Sequence, residues 1–485
     1  MKNTGKVIFA AIYVAGTTLI VNYFFSGWIY DDTFITYRYA ANLQNGLGFV
    51  YNLDERVLST TTPLFTILLA LFASLWAEIP RLANLIGALS LAVGAIFLWD
   101  LAHTWKSPLV GWSGLLLYPT FSLLVSTLGS EIPLYLTFCL GGFAFYARQR
   151  FSLTAVCVAL AVLTRPDGIL VAFVLATHAF LWARRPIPWL AVALFLGIIT
   201  PWFVFAWAYF GSPLPVTLAA KQHQGAMLIS QRFVPGFLSI LGWYTAWPYL
   251  LEAGFSAAGM VFLFRHARRW TVFMAWTLLY FLAYSILGVS GYFWYYAPLV
   301  PGFITLLGLG ISALSRRWPS ARLDDARSLN RISFYIPSLI VLLVFFAAQA
   351  VHLRQLRQNP YHRLFIDNRM VMYGDVGDWL RNHTPQNASV GMLEVGIVGY
   401  HAQRKMIDFA GLIQPPVSEQ LNENATYEDS ALWAIGHYHP DYLVLFDTQF
   451  PELEQEYVAR QCRPIQRFPG KSYAYPFDMT VYNCK

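Results

Sequence analysis

Eleven long, nearly uncharged runs leave this chain few ways to fold. A bilayer core about 30 Å thick takes roughly 20 apolar residues as a helix. Runs near 8–26, 82–104, 109–128, 132–147, 151–164, 168–183, 188–209, 247–264, 270–289, 294–314 and 332–352 read as such spans. Of the 485 residues 57% are hydrophobic and only 12% charged, where a soluble domain carries about 25% charge. So few charges cannot cover a chain of this length in water. A soluble enzyme, a disordered tail and a disulfide-stapled secreted domain are excluded. The four cysteines also exclude a cysteine-rich metal scaffold. The runs 151–164 and 168–183 are short and meet at Thr164-Arg165-Pro166-Asp167-Gly168. A polar turn at that depth is tolerated only inside protein or against a wet cavity. The stretches 63–77 and 225–245 are too short or too interrupted to span, and read as interfacial or re-entrant helices.

Lys and Arg set the expected orientation. With the N-terminus inside, the cytoplasmic loops hold 15 basic residues, from Lys2, Lys6 and Lys106 through Arg265, Arg268 and Arg269 to Arg322, Arg327 and Arg331; the external loops before residue 353 hold six. The positive-inside rule asks for that bias. The net charge of +7 therefore reads as topology, with no nucleic-acid partner implied. The hydrophobic N-terminus is too long for a cleaved signal peptide and lacks a small-residue cleavage site. The expected location is a plasma (bacterial inner) membrane, multi-pass, with the N-terminus cytoplasmic.

From residue 353 the composition is that of soluble protein, with 12 basic and 15 acidic residues. Short β-branched runs (389–393, 406–409, 442–446) alternate with helical pieces (373–382, 429–437, 451–461), which predicts a small α/β domain. The expected division is thus a transmembrane module over 1–352, with a first external loop over 28–80, and an extracytoplasmic α/β domain over 353–485. Cys462 and Cys484 lie in the tail, on the oxidising side. They pair if their Cα atoms approach within about 7 Å, which sequence alone leaves open. Cys139 and Cys157 sit in apolar spans and read as packing residues.

The chemistry-bearing signal follows the first span: Tyr30-Asp31-Asp32-Thr33, then Arg38-Tyr39-Ala40-Ala41-Asn42 and Gly46-Leu47-Gly48. Two carboxylates just outside a membrane helix are costly unless used. A general base belongs at such a dry–wet boundary. Asp31 and Asp32 point about 100° apart on a helix, so one faces the site while the other caps the helix or orients its partner; a plain N-cap at the start of an interfacial helix would also suit an Asp here.

The run Asp31–Asn42, followed by Gly46–Asn52, Glu55-Arg56-Val57 and Thr61-Thr62-Pro63-Leu64, resembles the first external loop of GT-C membrane glycosyltransferases that use polyprenyl-phosphate sugars. It is most similar to the bacterial terminal arabinofuranosyltransferase and mannosyltransferase-like branch. Gly129-Ser130-Glu131-Ile132-Pro133, Leu163–Gly168, Gly211–Pro215 with Lys221, and Tyr295-Tyr296-Ala297-Pro298 extend the likeness along the chain, as do Gly377–Leu380 and Asp408–Leu412 in the tail. One departure is Leu58-Ser59 where that branch has Glu-Gly. The resemblance implies a GT-C-like polytopic fold of about eleven transmembrane helices with a C-terminal extracytoplasmic α/β domain. It also implies inverting sugar transfer, on the extracytoplasmic face, to a hydroxyl of a glycan, lipid or protein acceptor, with a first-loop Asp as base.

The expected catalytic residues are Asp31, Asp32 and an assisting Glu131. Arg38, Arg165, Lys221, His223 and Tyr295 are the expected substrate ligands, since a phosphate needs cations and a sugar needs polar and aromatic walls. No cofactor is required; a divalent cation, if one bridges phosphate and protein, falls to Asp31 and Asp32. Each has a plainer reading. Arg165 pairs with Asp167, Glu131 sits on a helix N-terminus, Lys221 and His223 are solvated loop residues, and Tyr292–Tyr296 form an interfacial belt. His401, His437 and His439 lack metal-ligand spacing. Two other functions compete: a lipid-sugar flippase or secondary transporter, and a non-catalytic subunit keeping the GT-C fold.

Overall fold

The computed structural model describes residues 3–27, 30–74, 78–317, 328–358 and 368–485. Lys2, Arg322 and Arg327, expected on the cytoplasmic side, lie outside the described residues, as do the end of the 63–77 stretch and residues 28–29 of the expected first loop.

In chain order the helical part comprises α1 (Asn3–Phe25), α2 (Asp31–Gln44), α3 (Pro63–Ala73), α4 (Ile79–Thr104), α5 (Pro108–Leu117), α6 (Ser122–Val125), α7 (Ile132–Ala147) and α8 (Phe151–Thr164). It continues through α9 (Ile169–Thr177), α10 (Trp189–Phe210), α11 (Thr217–Ala226), α12 (Phe233–Leu241), α13 (Trp247–His266), α14 (Thr271–Leu287), α15 (Val300–Arg317) and α16 (Ser328–Gln358). Among the described residues seven helical stretches are long and apolar enough to cross a membrane: 4–25, 79–104, 189–210, 247–266, 268–287, 293–314 and 336–356. The remaining four expected spans, 109–128, 132–147, 151–164 and 168–183, fall on shorter apolar helices. The run 109–128 is not one helix. It stops at Leu117 and resumes at Ser122; Pro119 has no N–H to give to the Leu115 carbonyl, which accepts the Tyr13 hydroxyl at 2.6 Å instead. Between α8 and α9 the chain reverses over Pro166–Gly168. A Cβ at Gly168 would lie 2.6 Å from backbone atoms of Ala161 and Val162, so only glycine lets Arg165 turn back onto α8.

After α17 (Arg369–His383) comes a five-stranded sheet: β1 (Ser389–Met392), β2 (Lys405–Asp408), β3 (Tyr442–Phe446), β4 (Arg463–Phe468) and β5 (Met479–Asn483), in the order β2-β1-β3-β5-β4. β1 pairs parallel with β2 and β3; β5 runs antiparallel to β3 and β4. The crossover from β1 to β2 is the short helix α18 (Gly396–Ala402). The sheet alternates as its pleat requires. Tyr442, Val444 and Phe446 face one core, while Leu443 and Leu445 face the other, against α20 (Tyr427–Tyr438), which follows a short α19 (Pro415–Ser418). The first core also contains Phe34, Tyr37, Tyr39, Phe49, Tyr51 and Phe65 from the first loop. Loop and sheet therefore share one interior, where each buried Phe contributes about 1.5–3 kcal/mol. A Cys462–Cys484 disulfide closes the chain end onto this unit, the pairing that the sequence left open.

Candidate active site

α2 carries Asp31 and Arg38 seven residues apart, two turns along one face. That face lies on α18, and the two side chains hold the two ends of the short helix. The buried Asp31 carboxylate accepts the backbone N–H of Gly396 (2.9 Å) and Ile397 (2.7 Å). The buried Arg38 donates to the carbonyls of Gly399 (3.0 Å) and Arg404 (2.6 Å) and stacks over Tyr51 at 4.3 Å. Acid at a helix start and cation at its end is the arrangement its dipole favours. The helices approach this closely because Gly396 and Gly399 carry no Cβ. One at Gly396 would fall 1.9 Å from the Asp31 carbonyl oxygen, and one at Gly399 would fall 2.0 Å from the Tyr51 hydroxyl. Tyr51 donates to the Val395 carbonyl (2.8 Å), Asn52 exchanges two 2.9 Å hydrogen bonds with the Met406 backbone, and Glu55 pairs with Lys405. Burial, reinforced by Glu394, pushes the Asp31 carboxyl up to about 8 against the two backbone bonds. Asp31 and Arg38, expected among the site residues, thus both dock the first loop onto the sheet unit, and Asp31 also lines the second cavity described below. Arg38 has its guanidinium on backbone carbonyls, with no place in either cavity described below.

Asp32 points elsewhere. Its side chain keeps 34% of its surface exposed and lies 3.3 Å from the ammonium of Lys221, itself 9% exposed. Lys221 is not a solvated loop residue: it sits on α11, and its Nζ lies 4.0 Å from the centre of the Tyr292 ring, a cation–π contact. Tyr292 stacks on Trp294 (4.5 Å, 6° between planes) and Trp294 on Tyr30 (5.2 Å, 13°). This part of the aromatic run therefore forms a stack behind Lys221.

A second charged group gathers below. Arg165 donates to Glu131 (2.8 Å), to Asp167 (3.0 Å) and to the Tyr284 hydroxyl (2.8 Å), which in turn donates to Asp167 (2.7 Å). The Arg165 side chain is 8% exposed. One cation between two carboxylates, each hydrogen-bonded, satisfies the condition for burying charge. The expected assisting acid Glu131 and phosphate ligand Arg165 are thus partners of each other, and Asp167 and Tyr284 complete the set.

Two cavities meet at Asp32. The first, about 370 Å³, has apolar walls from Ile169, Leu170, Leu218 and Leu287, and is reached by Glu131, Arg165 and Tyr295. Its wall includes the hydroxyls of Thr36, Thr60 and Thr62, 3.0–3.3 Å apart. The second, about 350 Å³, lies against the sheet unit and is lined by Gln224, Arg369, Glu394, Asp408 and Tyr427. Asp32 and Lys221 line both. His223 lines neither. Among the described residues no three His, Cys, Asp or Glu side chains converge as a metal site. Sequence reasoning missed Thr36, Thr60, Tyr284, Gln224, Arg369 and Glu394. Only the threonines left a signal, the Thr-rich turn at 60–62.

ArnT from Cupriavidus metallidurans, bound to undecaprenyl phosphate, superposes with a TM-score of 0.58 at 15% identity, covering 100% of this chain and 98% of that one. Its apo form gives 0.60 at 16%, covering 100% and 99%. The fold is of the GT-C type. The archaeal oligosaccharyltransferase AglB from Archaeoglobus fulgidus, in complex with an inhibitory peptide and a dolichol-phosphate, gives 0.61 at 12% identity over 92% of this chain and 70% of that one. By sequence, residues 356–482 match a domain of unknown function, DUF8728. No curated protein sequence matches the chain.

Proposed function

We propose that this protein transfers a sugar from a polyprenyl-phosphate donor to an acceptor hydroxyl, with Asp32 as the general base. The observation that carries this reading is that Asp32 and its partner Lys221 are shared by both cavities. A base for glycosyl transfer has to reach the acceptor hydroxyl at the place where its oxygen meets the donor's anomeric carbon. The apolar cavity suits the donor: its walls take the isoprenoid end, while Lys221 and Arg165 face the phosphate. The cavity against the sheet unit takes the acceptor.

In the proposed step the acceptor oxygen attacks the anomeric carbon as its proton passes to Asp32. The bond from that carbon to the phosphate oxygen breaks, and polyprenyl phosphate leaves with the electron pair. A single displacement inverts the anomeric centre. Glu131 acts by holding Arg165 in place, and Tyr295, at the cavity wall, shapes the sugar pocket. Two structures of the same fold hold polyprenyl phosphates, which supports the donor class. The same reading puts the sheet unit and both cavities on the extracytoplasmic face and the N-terminus inside. A divalent cation, if one serves the donor phosphate, would have Asp32 as its protein ligand here, since Asp31 is engaged by backbone N–H groups.

The test is transfer by purified protein from a panel of polyprenyl-phosphate sugars, comparing wild type with Asp32→Asn. Transfer by the wild type and its loss in the variant is the expected result. A non-catalytic subunit would show transfer by neither.

A further inference from the structure

A further cavity, about 630 Å³, lies away from Asp32, at the other end of the helical bundle. It is built where α4 passes into α5 and α13 into α14, over residues 105–109 and 262–270. α14 alone, 17 residues long, puts about 25 Å between this end and the Asp32 end. Lys106, Arg265, His266, Arg268 and Arg269 surround the cavity, and among the described residues no carboxylate lines it. Its wall is aromatic and fixed: Trp270 is buried, donates its indole N–H to the Ser107 hydroxyl at 3.0 Å, and meets Trp105 edge-on at 4.7 Å.

The positive-inside rule accounts for cations at this end. It does not account for their gathering round a concavity. The neighbouring basic loop shows the difference: there Arg148 pairs with Asp100, and Arg185 donates to Gln149 at 3.0 Å. Of the cavity's cations, Arg268 uses its Nε on the Phe264 carbonyl at 3.0 Å, which fixes its guanidinium at the rim. Two helices, α5 and α14, also begin at the cavity, adding the positive ends of their dipoles.

We infer that this cavity binds a phosphate-bearing anion, with the phosphate among Lys106, Arg265 and Arg269 and an apolar part against Trp105, which the buried Trp270 backs. A lipid headgroup and a small free phosphate share that chemistry, and tryptophans at a membrane boundary are placed for either. None of these residues belongs to the proposed active site, so the inference stands apart from that reading.

The experiment uses full-length purified protein with Lys106→Gln, Arg265→Gln and Arg269→Gln combined. Arg148→Gln is the control that loses a cation at the same end but outside the cavity. Retention of phosphatidylglycerol against phosphatidylcholine is read by native mass spectrometry, and inorganic phosphate binding by calorimetry. Thermal unfolding checks that each variant is folded. At least a fivefold drop in phosphatidylglycerol retention in the triple variant, but not in Arg148→Gln, establishes a headgroup site. Phosphate binding lost in the triple variant, with lipid retention unchanged, establishes a small-anion site. A folded triple variant matching wild type in both measurements overturns the inference, as does a wild type that binds neither probe.

Discussion

Asp31 and Asp32 are adjacent in the chain, yet Asp31 accepts the backbone N–H groups of Gly396 and Ile397 while Asp32 lies 3.3 Å from Lys221. One turn of α2 thus ties the docking of the sheet unit to the position of the proposed base. Disturbing the dock should disturb stability first and chemistry second.

Arg38 tests the dock without entering either cavity. Arg38→Met leaves the carbonyls of Gly399 and Arg404 without this donor, and hydrogen bonds to charged groups contribute about 1.5–3 kcal/mol. We expect a loss of about 2–4 kcal/mol, read as a lowered thermal midpoint, with KM for the donor within about twofold of wild type. A raised KM at unchanged stability would return Arg38 to the role of a phosphate ligand.

The dock should also be pH-dependent. The Asp31 carboxyl is pushed from its usual 3.8 to about 8 by burial and Glu394, and Asp408 is pushed to about 7, again mainly by burial. Between those limits the folded protein holds protons that the unfolded chain has lost. This stability is complete below about pH 4 and is lost as pH rises through about 8. The unfolding midpoint should fall from about pH 5 to about pH 8.5, and Asp31→Asn should flatten that slope. Equal slopes in the two proteins would contradict the assignment to Asp31.

Lys221 and Tyr292 should act as a unit. Lys221→Met removes the cation facing both cavities, and we expect turnover to fall at least tenfold, equivalent to about 1.4 kcal/mol. Tyr292→Leu removes a cation–π contact 4.0 Å long, worth about 0.5–2 kcal/mol. Its effect should largely vanish in the Lys221→Met background. Additive losses in the double variant would show that the ring does not work through Lys221.

The Cys462–Cys484 bridge closes a loop between positions 22 apart, which corresponds to about 3 kcal/mol in the chain-entropy account. Reduction, or Cys484→Ser, should lower the thermal midpoint. An unchanged midpoint would place the chain end outside the cooperative unit.

The sequence carried the local rules and little of what joins them. Helices α7 and α8 run over 132–147 and 151–164, the ranges their apolar runs predict, because length and apolarity set them. The break at Pro119 was legible in principle, but a hydropathy run passes over a single proline. Strands β4 and β5 were missed: β4 reads Arg463-Pro464-Ile465-Gln466-Arg467-Phe468, a charged edge strand without clean alternation, as edges require. In the first loop the sequence raised the alternatives of base and cap; Asp31 caps α18 rather than its own helix, and Asp32 faces both cavities. The sequence offered Arg38 as a phosphate ligand and gave no sign of its docking contacts, whose acceptors lie more than 360 residues away. α11 gave little apolar periodicity, so Lys221 read as a loop residue until packing buried it against Tyr292 and Asp32.

The central claim is that Asp32, and not Asp31, accepts the acceptor's proton. The direct measurement is single-turnover transfer from a polyprenyl-phosphate sugar by wild type, Asp31→Asn and Asp32→Asn, each shown to be folded by thermal unfolding. Asp32→Asn should lose transfer by at least a hundredfold, about 2.7 kcal/mol, while retaining donor binding, and Asp31→Asn should keep measurable turnover with altered stability. Wild-type transfer by a folded Asp32→Asn protein would contradict that claim.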